Sequence, residues 1–275
     1  MGLFMDRSPI TFCWALLLGM GLAAAAGPSA AHASEGEPWK LIKADHFIIH
    51  YREDEPFARQ IARKADADYT RIAEDLGYRR HSNFWMWDNR VKIFIYPTQE
   101  EFQKVPGTRE WALAISQYSK KEIHSFSGQP NLIDGVLPHE ITHLIFRDFV
   151  GTSSEIPLWM DEGVAQWEEP ARRELATRYV HALLKSGDAL PLNEVLNMSL
   201  RTLGTGKRVD KFYVQSVTLV DFLIKNKGGA KFTEFCRLLR DGHALGDALR
   251  KAYPAIATPE RLEAEWRAFA GPMIQ

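Results

Sequence analysis

Phe47, Ile49 and Tyr51 alternate with His46, Ile48 and His50, a period of two that predicts a strand through Trp39 to Arg52. From Glu55 to about Leu76 the period changes. Phe57, Ile61, Ala65, Tyr69, Ile72 and Leu76 recur every three or four positions, the spacing of one helix face. Val91 to Tyr96 reads as another strand, and Pro97 to Val105 as a loop into a short helix. The period is ambiguous between Trp111 and Phe126, but Lys121 to Phe126 alternates and is bounded by Ser127-Gly128-Gln129-Pro130. A strand is expected there, exposed so that an extended peptide can pair with it at a sheet edge.

A helix then runs from about Leu137, or from Asp134 as N-cap, to Phe149. Pro138 suits a first turn whose N–H groups lack helical partners, and Gly151 ends the helix. Ile156-Pro157-Leu158-Trp159 leads into a second helix. Beyond Pro170 the pattern is wholly helical, over Arg172–Lys185, Asp210–Asn226, Lys231–Arg240, Leu245–Ala252 and Pro259–Phe269. Gly228-Gly229, Gly242 and Pro254 punctuate these segments.

The first residues read as a targeting segment rather than as part of the fold. Arg7 precedes an apolar run from Ile10 to Gly27, and Ala31-His32-Ala33 matches the small-x-small cleavage pattern. This predicts a signal peptide over residues 1–33 and a mature chain of residues 34–275, periplasmic or secreted. The apolar run has the length at which an uncleaved N-terminal anchor is the alternative. After cleavage no stable membrane span is expected. Lys plus Arg (34) nearly balances Asp plus Glu (35), so the chain lacks the electrostatic footprint of a nucleic-acid binder or a polybasic membrane patch. The mature chain holds one cysteine, Cys236, which excludes an intrachain disulfide and reads as a buried, inert thiol.

One motif carries chemistry. His139-Glu140-Ile141-Thr142-His143 is followed eighteen residues beyond His143 by a glutamate, counting the intervening positions, at Glu162 within Trp159-Met160-Asp161-Glu162-Gly163. Positions i and i+4 share a helix face, so His139 and His143 can reach one ion while Glu140 faces its open side. Catalytic zinc takes three protein ligands and keeps a fourth position for water, and two histidines with one glutamate form such a set. HExxH arises by chance in roughly two of a hundred chains of this composition, and requiring the later glutamate lowers that to about one in a thousand. A structural zinc site would be closed by a fourth protein ligand, and no CxxC or second HxxxH is present to close it. His46, His50, His124 and His181 lack ligand-spaced partners and read as sheet-packing, half-exposed or boundary residues.

With one Zn2+ held by His139, His143 and Glu162, the expected chemistry is attack of an acidified water on an amide carbonyl. Glu140 is the expected general base and then general acid. Tyr213, in Lys211-Phe212-Tyr213-Val214-Gln215-Ser216, is the candidate donor to the developing oxyanion, with Tyr179 next.

These residues resemble the gluzincin branch of zinc peptidases. Pro157 to Ala165, carrying Trp-x-x-Glu-Gly, and Tyr213 to Leu223 look like the peptidase MA-like domain, itself similar to the M1 aminopeptidase catalytic domain and to minigluzincins. The resemblance implies an α+β, thermolysin-like fold. A small N-terminal sheet and the zinc helix (residues 34–150) would lie on one side of a cleft, with an all-helical subdomain (residues 151–275) on the other. It also implies a peptide or protein substrate, and carries zinc ligation onto His139, His143 and Glu162, the base onto Glu140 and the oxyanion role onto Tyr213. The M1 enzymes grip a free amine through a Gly-x-Met-x-Asn segment with a glutamate, and Ser127-Gly128-Gln129-Pro130-Asn131 lacks it. Endopeptidase rather than aminopeptidase activity is therefore expected. Two alternatives remain, a non-proteolytic zinc amide hydrolase and a silent peptide-binding or assembly protein.

Overall fold

The alternation around Phe47 forms a hairpin, not the single long strand expected. In the computed structural model, which describes residues 38–77, 85–108, 112–129, 131–151 and 156–271, β1 (Lys40–Lys43) pairs antiparallel with β2 (Phe47–Tyr51). The backbone N–H groups of Asp45 and His46 both donate to the Asp66 carboxylate at 3.0 Å. That carboxylate, on a later helix, pins the turn, so nothing local announces it. The expected signal peptide, residues 1–33, lies outside the described residues.

With β3 (Val91–Tyr96), β4 (Ala114–Gln117) and β5 (Glu122–Phe126), the sheet has the order β1-β2-β3-β5-β4. The three inner strands run parallel, and β1 and β4 are antiparallel at the two edges. This corrects one expectation: β5 is interior, and the edge belongs to β4, from the stretch whose period was ambiguous. Its short run pairs Ser116 with Ile123 and Ile115 with His124.

Phe47, Ile49, Val91, Ile93 and Ile123 are buried on one sheet face, in a continuous core with α1 (Glu55–Asp75) and α3 (Leu137–Val150). On the other face His50, Phe94 and His124 stand in register across three strands, with ring centroids 4.2 Å and 4.9 Å apart. Phe102 of α2 (Gln99–Gln103) packs on Phe126 at 5.6 Å. His46 instead stacks on Tyr69 and meets Asp66 at 3.1 Å. These histidines are packing residues, as their lack of ligand-spaced partners implied.

Immediately before α3 the chain makes one π-helical turn, Leu132–Val136, entered through Asn131 at φ 61°. Asp134 lies within that turn with its side chain exposed, so it does not cap α3, whose N-cap is Val136. At the far end both Asp148 oxygens are bonded, to Trp85 Nε1 and to the Tyr118 hydroxyl, each at 2.7 Å. These bonds tie the helix to the α1–β3 and β4–β5 connections.

The helical half comprises α4 (Leu158–Trp167), α5 (Pro170–Ser186), α6 (Leu192–Leu196), α7 (Lys207–Asp221), α8 (Gly229–Arg240), α9 (Leu245–Ala252) and α10 (Pro259–Ala270). α4 and α7 approach closely at Gly163, where a Cβ would lie 2.7 Å from the Ser216 carbonyl oxygen. Trp167 Nε1 donates to Asp221 across the same contact at 2.7 Å. Cys236 is buried on α8, and burial pushes its thiol pKa up. Trp159, Trp266, Phe212 and Phe235 are also fully buried, each contributing roughly 1.5–3 kcal/mol through removal of apolar surface from water. Among the described residues no helix is long and apolar enough to cross a membrane.

Candidate metal centre

Leu137 to Phe146 on α3, and all ten residues of α4, are buried. Helices enclosed on every side must satisfy their polar side chains internally, because an unpaired buried polar atom costs about 1–3 kcal/mol. The helical spacing brings the two imidazoles edge to face, with centroids 4.7 Å apart and Nε2 atoms at 3.0 Å. Glu162 Oε2, from α4, lies 3.9 Å from both Nε2 atoms. Among the described residues these three form a group whose ligand atoms all lie within 4.8 Å of one another.

The outward nitrogens are held by carboxylates. His139 Nδ1 lies 2.8 Å from Glu169 Oε1, and Arg172 Nε lies 3.0 Å from Glu169 Oε2. His143 Nδ1 lies 3.2 Å from Asp161 Oδ1, and Arg147 donates to Asp161 Oδ2 at 2.9 Å. Glu169 reaches His139 because α4 stops at Trp167, with Glu168 as its C-cap. Pro170 starts the next helix and leaves Glu169 extended, at φ −100° and ψ 93°. With both Nδ1 atoms held outward by carboxylates, both Nε2 atoms face inward. Such carboxylate partners fix the tautomer and raise the basicity of ligating histidines.

These donors fit a zinc ion. Two inward-facing Nε2 atoms converge with a buried carboxylate oxygen, Glu162 Oε2, that has no hydrogen-bond partner. A cation satisfies all three at once, and the N,N,O set with a position left over is that of catalytic zinc.

The electrostatics of the metal-free cluster agree. Burial pulls His143 down, but the charges of Asp161, Glu162 and Glu140 outweigh it and raise its pKa to about 9. Burial and the neighbouring His143 hold His139 well below its ordinary value. Burial raises Glu162 to about 8, and Glu169 to about 7 despite Arg172. The cluster thus favours added positive charge at its centre. Glu140 is buried too, which raises its pKa, while hydrogen bonds from the Ser116 hydroxyl and backbone N–H oppose the rise.

A sequence model of the peptidase MA superfamily matches residues 67–271, a span that takes in every residue of this cluster. The chain belongs to the peptidase MA superfamily. No curated protein matches the chain. Membership in the peptidase MA superfamily makes this a metallopeptidase-like domain, and the matched span runs from within α1 to the end of α10.

Within this peptidase MA domain Tyr213 is buried on α7, one turn before the Ser216 carbonyl that touches Gly163. It therefore lies on the helix packed behind Glu162, with its ring 5.4 Å from that of Phe212. Tyr179, the second tyrosine considered, is 40% exposed on α5. The sequence reading did not single out Asp161, Glu169, Arg147, Arg172 or Ser116. Glu169 lies beyond the end of α4 in an extended conformation, so the helix period gave no signal for it. Ser116 had none either, because its strand was not recognised.

Proposed function

We propose that this chain is an exported zinc metallopeptidase that cleaves within polypeptide chains. The reading rests on one observation: two inward Nε2 atoms 3.0 Å apart, with an unpartnered carboxylate oxygen 3.9 Å from each. His139, His143 and Glu162 hold the ion, which when bound supplies a Lewis acid and an acidified water. Glu140 accepts the proton of the attacking water and returns it to the leaving amine. Its burial supports this role, since a carboxylate with raised pKa is a stronger base than an exposed one. Tyr213, on the helix behind Glu162, is the proposed donor to the oxygen that gains charge.

β4 is the outermost strand beside Glu140, and an extended substrate can pair with such an edge. Ala114 to Gln117 carry no carboxylate, so this strand supplies no anion to pair with a free ammonium group, which favours internal cleavage. The leader pattern of residues 1–33 supports periplasmic or secreted placement, with polypeptides of that compartment as substrates. The test is metal content and cleavage of unblocked and N-blocked peptides by the wild type and by Glu140→Gln. Stoichiometric zinc in both, with cleavage of blocked peptides by the wild type alone, is expected. A wild type that cannot be loaded with zinc would refute the reading, and zinc without cleavage would leave a binding protein.

A further inference from the structure

Glu169 can meet His139 only if the short junction Glu168-Glu169-Pro170 is held in place. Arg172, which grips Glu169, sits on the same element three residues on and moves with it. A second clamp comes from elsewhere in the chain. Arg71 of α1 donates through Nη1 to Glu168 Oε2 and through Nη2 to the Glu168 backbone carbonyl, the latter at 3.1 Å. The Glu168 side chain is fully buried, whereas the Arg71 side chain is 38% exposed, so the guanidinium reaches inward from the surface. Asp68, buried on the same face of α1, lies 3.4 Å from Arg71 Nη2 and keeps the fork aimed. The Glu168 carbonyl lies at the C-terminus of α4, where backbone acceptors lack helical partners and a cation is favoured. The adjacent carbonyl, of Trp167, is taken by Arg173 at 3.1 Å.

α1 also packs against α3, the helix that carries His139. α1 therefore contacts the helix that carries His139 and, through Arg71, the residue that precedes Glu169. A buried ion pair is a weak source of net stability but is well suited to fixing geometry. We propose that Arg71 is a positioning residue for the metal ligand His139, acting through the Glu168–Glu169 junction. This rests on the metal reading above. The planar guanidinium holds the carboxylate and the neighbouring carbonyl in one fixed fork, which the single freely rotating ammonium of lysine does not reproduce.

The test measures zinc affinity by chelator competition, with the unfolding midpoint of the metal-free protein recorded alongside. Arg71→Met is expected to weaken zinc binding about 10-fold, the lower end of the effect of outer-shell partners, and Arg71→Lys less. Should Arg71→Met fail to fold, Arg71→Lys carries the comparison. The decisive arm repeats the substitution in a Glu169→Ala background, where no further loss of affinity is expected because no side chain at that position then bonds His139 Nδ1. An equal loss in both backgrounds, or a fall in the unfolding midpoint with unchanged affinity, would overturn the proposal and leave Arg71 a structural residue. A wild type that takes up no zinc would overturn the metal reading and this inference together, so the two failures are distinguishable.

Discussion

His139 and His143 present their Nε2 atoms to each other at 3.0 Å while both Nδ1 atoms are engaged by carboxylates. Two neutral imidazoles in that arrangement repel through their lone pairs unless a proton or an ion lies between them. Removing the ion is therefore expected to destabilise the protein. At a free zinc concentration 100-fold above Kd, binding adds about 2.7 kcal/mol, which for a domain of this size corresponds to roughly 5–10 °C in Tm. Thermal unfolding with and without a chelator at pH 8 measures it. An unchanged midpoint would remove the ion from the fold's stability.

Glu140→Gln separates the base from the ligands. The amide cannot accept the proton, but it leaves His139, His143 and Glu162 untouched, so zinc content should stay stoichiometric. Turnover should fall about 10²–10⁴-fold, the usual contribution of a positioned proton acceptor. Residual activity above one tenth of the wild type would assign the base elsewhere.

Tyr213→Phe removes one hydroxyl from a fully buried ring and keeps its packing. An oxyanion donor acts in the transition state, so kcat should drop about 10²–10³-fold with KM little changed. Steady-state kinetics on one peptide are sufficient. Equal kcat in the two proteins would show that Tyr213 serves packing alone.

The HExxH face and Glu162 were legible because helical periodicity is local: once α3 and α4 are drawn, the spacing alone aims both histidines at one point. The same logic found α1 and the helical half, where Ile61 in the first and Val217 and Leu239 in the second mark buried stripes. It failed where distant residues decide the conformation. The turn between β1 and β2 is set by Asp66, and β4 is too short to show a period of its own. The carboxylates behind the histidines escaped notice because their role depends on how α4 ends and which helix faces it. Glu169 becomes a partner of His139 only through the break before Pro170 and the arginines that secure it.

Gly163, next to Glu162, is a place where fold and site meet. Its φ is ordinary for a helix, so its value lies in space: an added Cβ would sit 2.7 Å from the Ser216 carbonyl oxygen and 2.8 Å from Val220 Cγ2. Gly163→Ala gains helix propensity of about 1 kcal/mol but forces α4 and α7 apart, an overpacking cost of about 1–3 kcal/mol. Because the neighbouring residue is the proposed third ligand, zinc affinity should fall together with stability. Unfolding and chelator competition on the same variant test this, and a Gly163→Ala protein as stable as the wild type, with equal affinity, would contradict it.

The pH dependence of the metal-free protein should run opposite to that of zinc binding. His143 is raised to about 9 in the fold, so the stability its proton confers is complete below about pH 6.5 and is lost as pH rises through 9. Glu162 is raised to about 8, so the fold favours its protonated form, and stability falls as pH climbs from about 4.5 to 8. Both groups bind more protons folded than unfolded in these windows, which gives ΔG of unfolding a negative slope with pH. His139, held low, opposes them only below about pH 6.5. The net expectation is a metal-free protein whose Tm declines between pH 6.5 and 9. Zinc must displace those same protons, so its apparent affinity should climb over that interval, by up to about two orders of magnitude per pH unit where both groups are protonated. Chelator competition at half-unit steps reads the slope. A flat affinity profile would mean that His143 and Glu162 do not yield their protons to the ion, and would exclude them as its ligands.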